Sequence, residues 1–442
     1  MYRPVAAGRL TVVPPGLSVL ASAARTISDR QVAGISVRPR RANDSIRGPD
    51  LSVASHPQPI ARAPLLFISA AEQSADVHGA SLIRATKKLC PDARFVGVAG
   101  PKMVDAGCEP IYDMTRHSAM LLGAIANAAR GIAMLETSER HLLRYPFDAA
   151  VVIDSPVLHL PLAGRAQAAA VPVLYYIAPQ LWAWGANRIH KLRNRVDHVA
   201  VILPFEEEYF RSRGVDATFV GHPLADEMDK LKIDEGVVAG IGERGRPVVA
   251  LLPGSRKHVV ESVLPGQMEV AQQIAGAIRG VSFGVSVANP QVAPIIEDLV
   301  SRSGLSVRQY PKHHHELVKA ADLVLVASGT TALEVAFHER PMLVMYNSSR
   351  LLYHLVFRWM ISMPHLSLPN ILAGKELVPE FMPYFSSTEP IAAKAIELLR
   401  SDEMRSSMSR DLAELVKPLR NGRAAQQTAT MLLKMAEENR SY

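Results

Sequence analysis

Asp154 closes the apolar run Val151-Val152-Ile153, so a lone carboxylate stands at the C-terminal tip of a buried strand. A carboxylate placed there can take a proton from an acceptor hydroxyl, or it can simply begin the next helix. Leu251-Leu252-Pro253-Gly254-Ser255-Arg256 joins a strand, a tight turn and a cation. Gly254 lets the backbone approach a phosphate closely, Ser255 can donate a hydrogen bond, and Arg256 can neutralise a diphosphate. Ala327-Ser328-Gly329-Thr330-Thr331-Ala332-Leu333-Glu334 also follows an apolar run and opens a helix. Exposed N–H groups at such a helix start bind anions. Glu334 lies one turn inside, placed to accept hydrogen bonds from a vicinal diol such as ribose. The plainer reading makes Ser328 or Thr330 an N-cap and Glu334 its capping partner. Taken together, the two loops favour a nucleotide diphosphate.

Other clusters are less specific. Glu72-Gln73-Ser74-Ala75-Asp76 follows the first apolar run, where Ser74 or Asp76 suffices as a helix cap. Trp182 and Trp184 stand beside a basic stretch with Arg188, either as core or as a grip on an amphipathic ligand. His313-His314-His315 looks like a metal tract. Three consecutive residues cannot all face one site on a helix, so solvated histidines and no metal are expected. No H-E-x-x-H, Walker or Cys/His zinc pattern occurs. The two cysteines, Cys90 and Cys108, lack metal or C-x-x-C spacing and read as small, buried or half-buried residues.

The elements that must position these residues follow from composition and period. Hydrophobic residues make up 48% and charged ones 21%, enough apolar material for a large core. No uninterrupted apolar run of about 18 residues marks a spanning helix. The net charge of +7 sits almost wholly in residues 1–62, which hold nine Arg and three Asp. The remainder carries 40 basic against 39 acidic residues, so a nucleic-acid groove is not expected. Residues 1–62, rich in Arg, Pro, Ser and Ala, read as a disordered or targeting extension. A transit peptide, a weak secretory signal at Leu17–Ala24 and a start assigned too far upstream all remain open.

From Pro64 on, short apolar runs alternate with helical stretches: Leu65–Ala70, Phe95–Ala99, Ala149–Ile153, Val173–Ile177, Val199–Leu203 and Thr218–Val220. A second series comprises Pro247–Leu252, Phe283–Ala288, Leu305–Gln309, Leu323–Ala327 and Met342–Tyr346. Near-continuous apolar strands separated by helices predict parallel sheets covered on both faces. The fold class is α/β, with two Rossmann-like doubly wound domains facing a cleft. Residues 63–228 form the N-terminal, acceptor-side domain and 229–420 the C-terminal, nucleotide-binding one, with a polar linker near Asp226–Gly245. A helix over 421–442 closes the chain and is a candidate to pack on the first domain.

Taken in order, these segments resemble the lipid A disaccharide synthase family of glycosyltransferases, which have the GT-B fold. The likeness runs from about Leu65 to the last 30 residues. It is carried by Phe95-Val96-Gly97-Val98-Ala99-Gly100-Pro101, by Pro179 with Trp182-Ala183-Trp184, by Leu203-Pro204-Phe205-Glu206, and by Val220-Gly221-His222-Pro223. The Leu251–Arg256 and Ala327–Glu334 segments belong to it too, as do Ser367-Leu368-Pro369-Asn370 and Leu372-Ala373-Gly374. The chain departs from the pattern at Ala71 and Ala75, where the family has glycines, and at Val157, where it has a second carboxylate.

The resemblance implies transfer of a diacylglucosamine from its UDP carrier to 2,3-diacylglucosamine 1-phosphate, with inversion to a β-1,6 disaccharide and release of UDP. Asp154 then matches the essential base and Arg256 the cation at the diphosphate. Gly254, Ser255, Ser328, Gly329, Thr330, Glu334 and Asn370 match the UDP site, while Glu72, Ser74, Asp76, Trp182 and Arg188 are candidates for the acceptor side. No cofactor is implied, because the UDP-sugar is a substrate. Acylated substrates imply a peripheral enzyme on the cytoplasmic face of the inner membrane, or an organellar one if residues 1–62 are a transit peptide. The apolar stretch Ala119–Leu135 is either a docking helix or a core helix. A homo-oligomer is left open. Two other readings stand beside this one: another GT-B-type enzyme such as a UDP-N-acetylglucosamine 2-epimerase, and a weakened UDP-binding scaffold at the membrane.

Overall fold

A computed structural model describes residues 62–113, 124–183, 185–347, 364–420 and 423–441. The predicted extension lies outside these residues except for Arg62.

Two sheets organise the chain. The first contains β1 (Leu65–Ala70), β2 (Arg94–Val98), β3 (Cys108–Tyr112), β4 (Ala149–Ile153), β5 (Val173–Tyr176), β6 (His198–Val201) and β7 (Ala217–Phe219). Its order is β3-β2-β1-β4-β5-β6-β7. The second contains β8 (Val248–Leu252), β9 (Ser282–Ser286), β10 (Val307–Tyr310), β11 (Leu323–Ala327), β12 (Met342–Met345) and β13 (Glu380–Phe381). Its order is β10-β9-β8-β11-β12-β13. The central strands β4, β8 and β11 are buried at every residue. Helices cover both faces of such strands, which is why they read as unbroken Val, Leu, Ile and Ala.

In each sheet the order reverses once, and that reversal fixes where loops meet. β1 and β4 run parallel with Ala70 opposite Ile153, so the Glu72 loop and the Asp154 loop leave side by side. β8 and β11 run parallel with Leu252 opposite Val326, which brings the Gly254 and Ser328 loops together in the same way. Ligands of doubly wound sheets bind at such switch points, beyond the carboxyl ends of the strands.

β3 and β13 were not expected. Both are edge strands, and β3 (Cys-Glu-Pro-Ile-Tyr) carries a proline and exposed residues that hide it from an apolar-run reading. The stretch read as a polar linker is largely helical, with helices Pro223–Met228 and Glu235–Gly242. Asp234 caps the second of these by accepting from the N–H groups of Gly236 and Val237. Its Ile241 packs into the core around β8, which a free linker does not do.

The described chain forms two compact units. One runs to Tyr175 and includes the segment from Ala429 onward, and the other is Tyr176–Thr428. In the first unit the buried Asp148 gathers several segments. It accepts from Leu65 N at 2.8 Å and pairs with Arg62 at 2.6 Å and with Arg440 at 3.4 Å. Asn439 donates to its carbonyl at 3.1 Å. The last turn of the helix Ala424–Arg440 is thereby fastened to the start of β1.

Of the candidate docking stretch, residues 119–123 lie outside the described residues, and the helix Ala124–Arg144 carries the rest. Met134 and Leu135 are buried in the core, so these two are not membrane contacts, whereas Ile132 is 40% exposed. Among the described residues, no helix is long and apolar enough to cross a membrane.

Candidate functional site

At the β4 tip the chain turns sharply. Asp154 (φ 53°) and Ser155 (φ 47°) both adopt left-handed geometry, which costs a non-glycine residue about 1–2 kcal/mol. Two successive residues held this way need surroundings that fix them, and strain of this kind gathers at functional sites. The Asp154 carbonyl accepts from the Tyr175 hydroxyl at 2.7 Å and from His159 Nδ1 at 2.7 Å. A carbonyl can only accept, so His159 carries its proton on Nδ1, and its Nε2 accepts from the Ser69 hydroxyl at 2.9 Å. Burial lowers His159 to about 4, keeping it neutral.

The Asp154 side chain is half-buried. Burial raises its carboxyl above the ordinary range, a hydrogen bond from the Ser155 backbone opposes this, and the charge of Glu72 adds to the rise. Glu72 is exposed, and its Oε1 accepts from Ser155 Oγ at 3.3 Å. Asp154, Ser155 and Glu72 thus form one acidic cluster at the β1/β4 reversal. Ser74 lies exposed in the first turn of the helix Gln73–Leu89 beside them.

Asp76 does not join the cluster. It is buried and accepts from Lys102 N and Met103 N at 2.9 and 3.0 Å, capping the short helix Pro101–Asp105 from outside its own segment. It is a structural carboxylate rather than an acceptor contact. Nor does it cap its own helix, whose N-cap Glu72 makes no side-chain cap bond.

In the second unit the β8 turn owes its shape to Gly254, whose φ of +104° suits glycine, and where an added Cβ would crowd Val259 Cγ1 at 3.0 Å. Ser255 and Arg256 are exposed, and Asn289 Nδ2 steadies the loop by donating to the Ser255 carbonyl at 2.8 Å. After β11, Ser328 is half-buried and Gly329 and Thr330 are exposed. The helix Thr330–Phe337 has Gly329 as its N-cap and receives no side-chain cap. Neither Ser328 nor Thr330 is therefore the N-cap, and in the first turn Ala332 N donates to the Gly329 carbonyl at 3.3 Å.

Glu334 is half-buried and meets His314 Nε2 at 3.0 Å. Burial pushes its carboxyl up, but the bond from His314 and the charges of His314, His315 and His338 outweigh that, leaving it below the ordinary range. The histidine tract is thus not simply a solvated surface. His314 and His315 turn toward Glu334 and His338, which the sequence spacing did not anticipate.

Asn370 is not free to bind a nucleotide. Its Nδ2 donates to Val378 O and Glu380 Oε2, and its Oδ1 accepts from Leu377 N and Val378 N, so its amide is fully occupied in a buried loop. Glu380 organises the same loop through Leu366 N, Ser367 N and Ser367 Oγ. Trp182 is likewise a structural residue. It is buried, it donates from Nε1 to Glu206 Oε1 at 2.9 Å, and its ring meets Phe205 edge to face. Arg188 is half-buried at the end of the 3-10 turn Ala186–Arg188, in the second unit. Trp184 lies outside the described residues.

Sequence reading missed Tyr175, His159 and Asn289. His159 was within reach, since five residues after Asp154 is one turn into the next helix, where an imidazole can fold back on the strand tip. Tyr175 stands on β5 and Asn289 in the loop after β9, and only the sheet order brings them near.

A family model described as lipid-A-disaccharide synthetase matches residues 66–435. The chain is 35% identical over 378 residues to the lipid-A-disaccharide synthase of Syntrophus aciditrophicus, covering 85% of this chain and 98% of that one. It is also 35% identical over 373 residues to the enzyme of the same name from Nitrosococcus oceani, covering 84% and 95%. Among solved structures, the UDP-GlcNAc 2-epimerase of Neisseria meningitidis bound to UDP-GlcNAc superposes with a TM-score of 0.55 at 15% identity, covering 84% of this chain and 100% of that one. Acinetobacter baumannii MurG gives 0.52 at 12% identity, covering 84% and 99%. These two structures share the fold, two parallel α/β sheets of the GT-B type.

Proposed function

Since the chain belongs to the lipid-A-disaccharide synthetase family, we propose that it transfers 2,3-diacylglucosamine from UDP to 2,3-diacylglucosamine 1-phosphate. The product is the β-1,6-linked disaccharide 1-phosphate, and the reaction is the glycosyl-transfer step of lipid A biosynthesis. The UDP-sugar is a substrate, and the protein is a hexosyltransferase.

Asp154 is the base. It takes the proton of the acceptor 6-hydroxyl while that oxygen attacks the anomeric carbon on the face opposite UDP. The sugar–phosphate bond breaks, its electron pair leaves on the β-phosphate oxygen, and the anomeric configuration inverts. A raised proton affinity suits a carboxylate that must accept a proton near neutral pH. Glu72 and Ser74 face the acceptor.

The second unit holds the leaving group. Gly254, Ser255, Ser328, Gly329 and Thr330 cradle the diphosphate, and Arg256 and the uncapped helix at Thr330 offset the charge that grows on it. Glu334, kept ionised, accepts from the ribose hydroxyls. On this assignment residues 63–228 serve the acceptor and 229–420 the donor. Asp76, Trp182 and Asn370 shape loops and touch neither substrate. Acylated substrates place the enzyme peripherally on the cytoplasmic face of the inner membrane.

The observation that carries the chemistry is the clamped left-handed carboxylate at the β4 tip, beside the Glu72 loop. The test is incubation of the purified chain with UDP-2,3-diacylglucosamine and the monosaccharide 1-phosphate, followed by mass analysis. Disaccharide 1-phosphate and UDP are expected. A free epimerised sugar identifies an epimerase instead, and UDP binding without turnover identifies a scaffold.

A further inference from the structure

His314, His315 and Glu334 each offer a ligand atom, and these atoms all lie within 4.8 Å of one another. His314 and His315 are consecutive, yet they open the helix His314–Ala320, where His313 just before them is not in helical geometry. Their rings meet edge to face with centroids 4.9 Å apart. Glu334 and His338, four residues apart, share one face of the helix Thr330–Phe337 and its C-cap, so both reach the same region. His315 Nδ1 lies 3.1 Å from His338 Nε2.

We propose that His314, His315 and Glu334 bind a divalent transition-metal ion of the Zn²⁺, Co²⁺ or Ni²⁺ type. Two imidazoles and one carboxylate favour such ions over Mg²⁺ or Ca²⁺, which prefer oxygen. A tetrahedral ion sits about 2.0–2.1 Å from each nitrogen, which sets its donor atoms roughly 3.3 Å apart. The present spacing, within 4.8 Å, is wider, so binding requires these side chains to close on the ion. His338 steadies the His315 ring. Glu334 is also the ribose acceptor of the proposed UDP site, and on that reading ion and nucleotide exclude one another.

The full chain, stripped with a chelator, is titrated with Co²⁺ while the visible d–d absorption is followed, and with Zn²⁺ by calorimetry. One ion per chain with tetrahedral-type cobalt absorption is expected. Binding should weaken at least about tenfold in His314→Ala and in His315→Ala, with the fold checked by circular dichroism. Should His315→Ala unfold through loss of its His338 contact, His314→Gln carries the test. No cobalt absorption up to millimolar ion, or binding unchanged in the folded variants, overturns the site. Saturating UDP should weaken Zn²⁺ binding. If the ion binds through these residues but ignores UDP, the metal site stands and Glu334 leaves the ribose pocket.

Discussion

The Tyr175 hydroxyl donates to the backbone carbonyl of Asp154 at 2.7 Å, tying the end of β5 to the strained tip of β4. The bond holds the peptide, not the carboxylate, so Tyr175 positions the base without sharing its chemistry. Tyr175→Phe leaves the carbonyl with only its His159 partner. Such a bond is worth about 0.5–1.5 kcal/mol, so turnover should fall by up to about tenfold while the KM for the UDP-sugar stays constant. A raised KM with unchanged turnover would assign Tyr175 to binding instead.

Asp154→Asn should retain UDP affinity and lose roughly 10²–10⁴ in turnover, the usual cost of losing a general base. The pH profile gives a second reading. A base must be ionised to work, so kcat/KM declines as pH falls through its pKa, which here lies above the ordinary carboxylate range because of burial and then Glu72. Glu72→Gln keeps the acceptor for Ser155 Oγ but removes the charge. The acid limb should move to lower pH, and an unmoved limb would detach Glu72 from the base.

Arg256→Ala should weaken UDP binding and also lower kcat. A cation on the diphosphate matters more as the sugar bond breaks, because the leaving group is then most negative. Equilibrium UDP binding and steady-state kinetics measured on one preparation separate the two effects. A loss confined to affinity would mean that Arg256 holds the ground state only.

Glu206 predicts a pH-dependent stability. Burial pushes its carboxyl up to about 7, against hydrogen bonds from Trp182, Leu203 and Ile202. The unfolded chain has the ordinary value of 4.5, so between these values the folded state holds the extra proton. This contribution to stability is complete below the unfolded value and is lost as pH rises through the folded one. Between about pH 5 and about pH 7.5, the wild type should lose on the order of 1–3 kcal/mol relative to Glu206→Gln. Chemical denaturation at the two pH values measures it, and parallel slopes would show that Glu206 ionises normally.

The sequence by itself determined the strand-and-loop series. Ala149–Ile153 and Leu323–Ala327 coincide with β4 and β11, because strands covered on both faces must be apolar throughout. The chemistry-bearing loops were legible for a related reason: glycine at +104° and a carboxylate ending an apolar run are local requirements. The family pattern, read along the same chain, named the reaction.

Tertiary structure decided which polar side chains are free. Asp76, Trp182 and Asn370 carry suitable groups, but the first caps a helix 26 residues away, the second bonds Glu206 and the third staples its own loop. Whether a polar group faces a ligand or a neighbouring backbone depends on where other segments come to rest. Parallel strand order set those places for Tyr175 beside Asp154 and Asn289 beside Ser255. The packing of two helices likewise turned His314 and His315 from a surface tract into partners of Glu334 and His338. Periodicity records which residues are buried, but hydrogen-bond partners brought together by long-range packing leave no period in the chain.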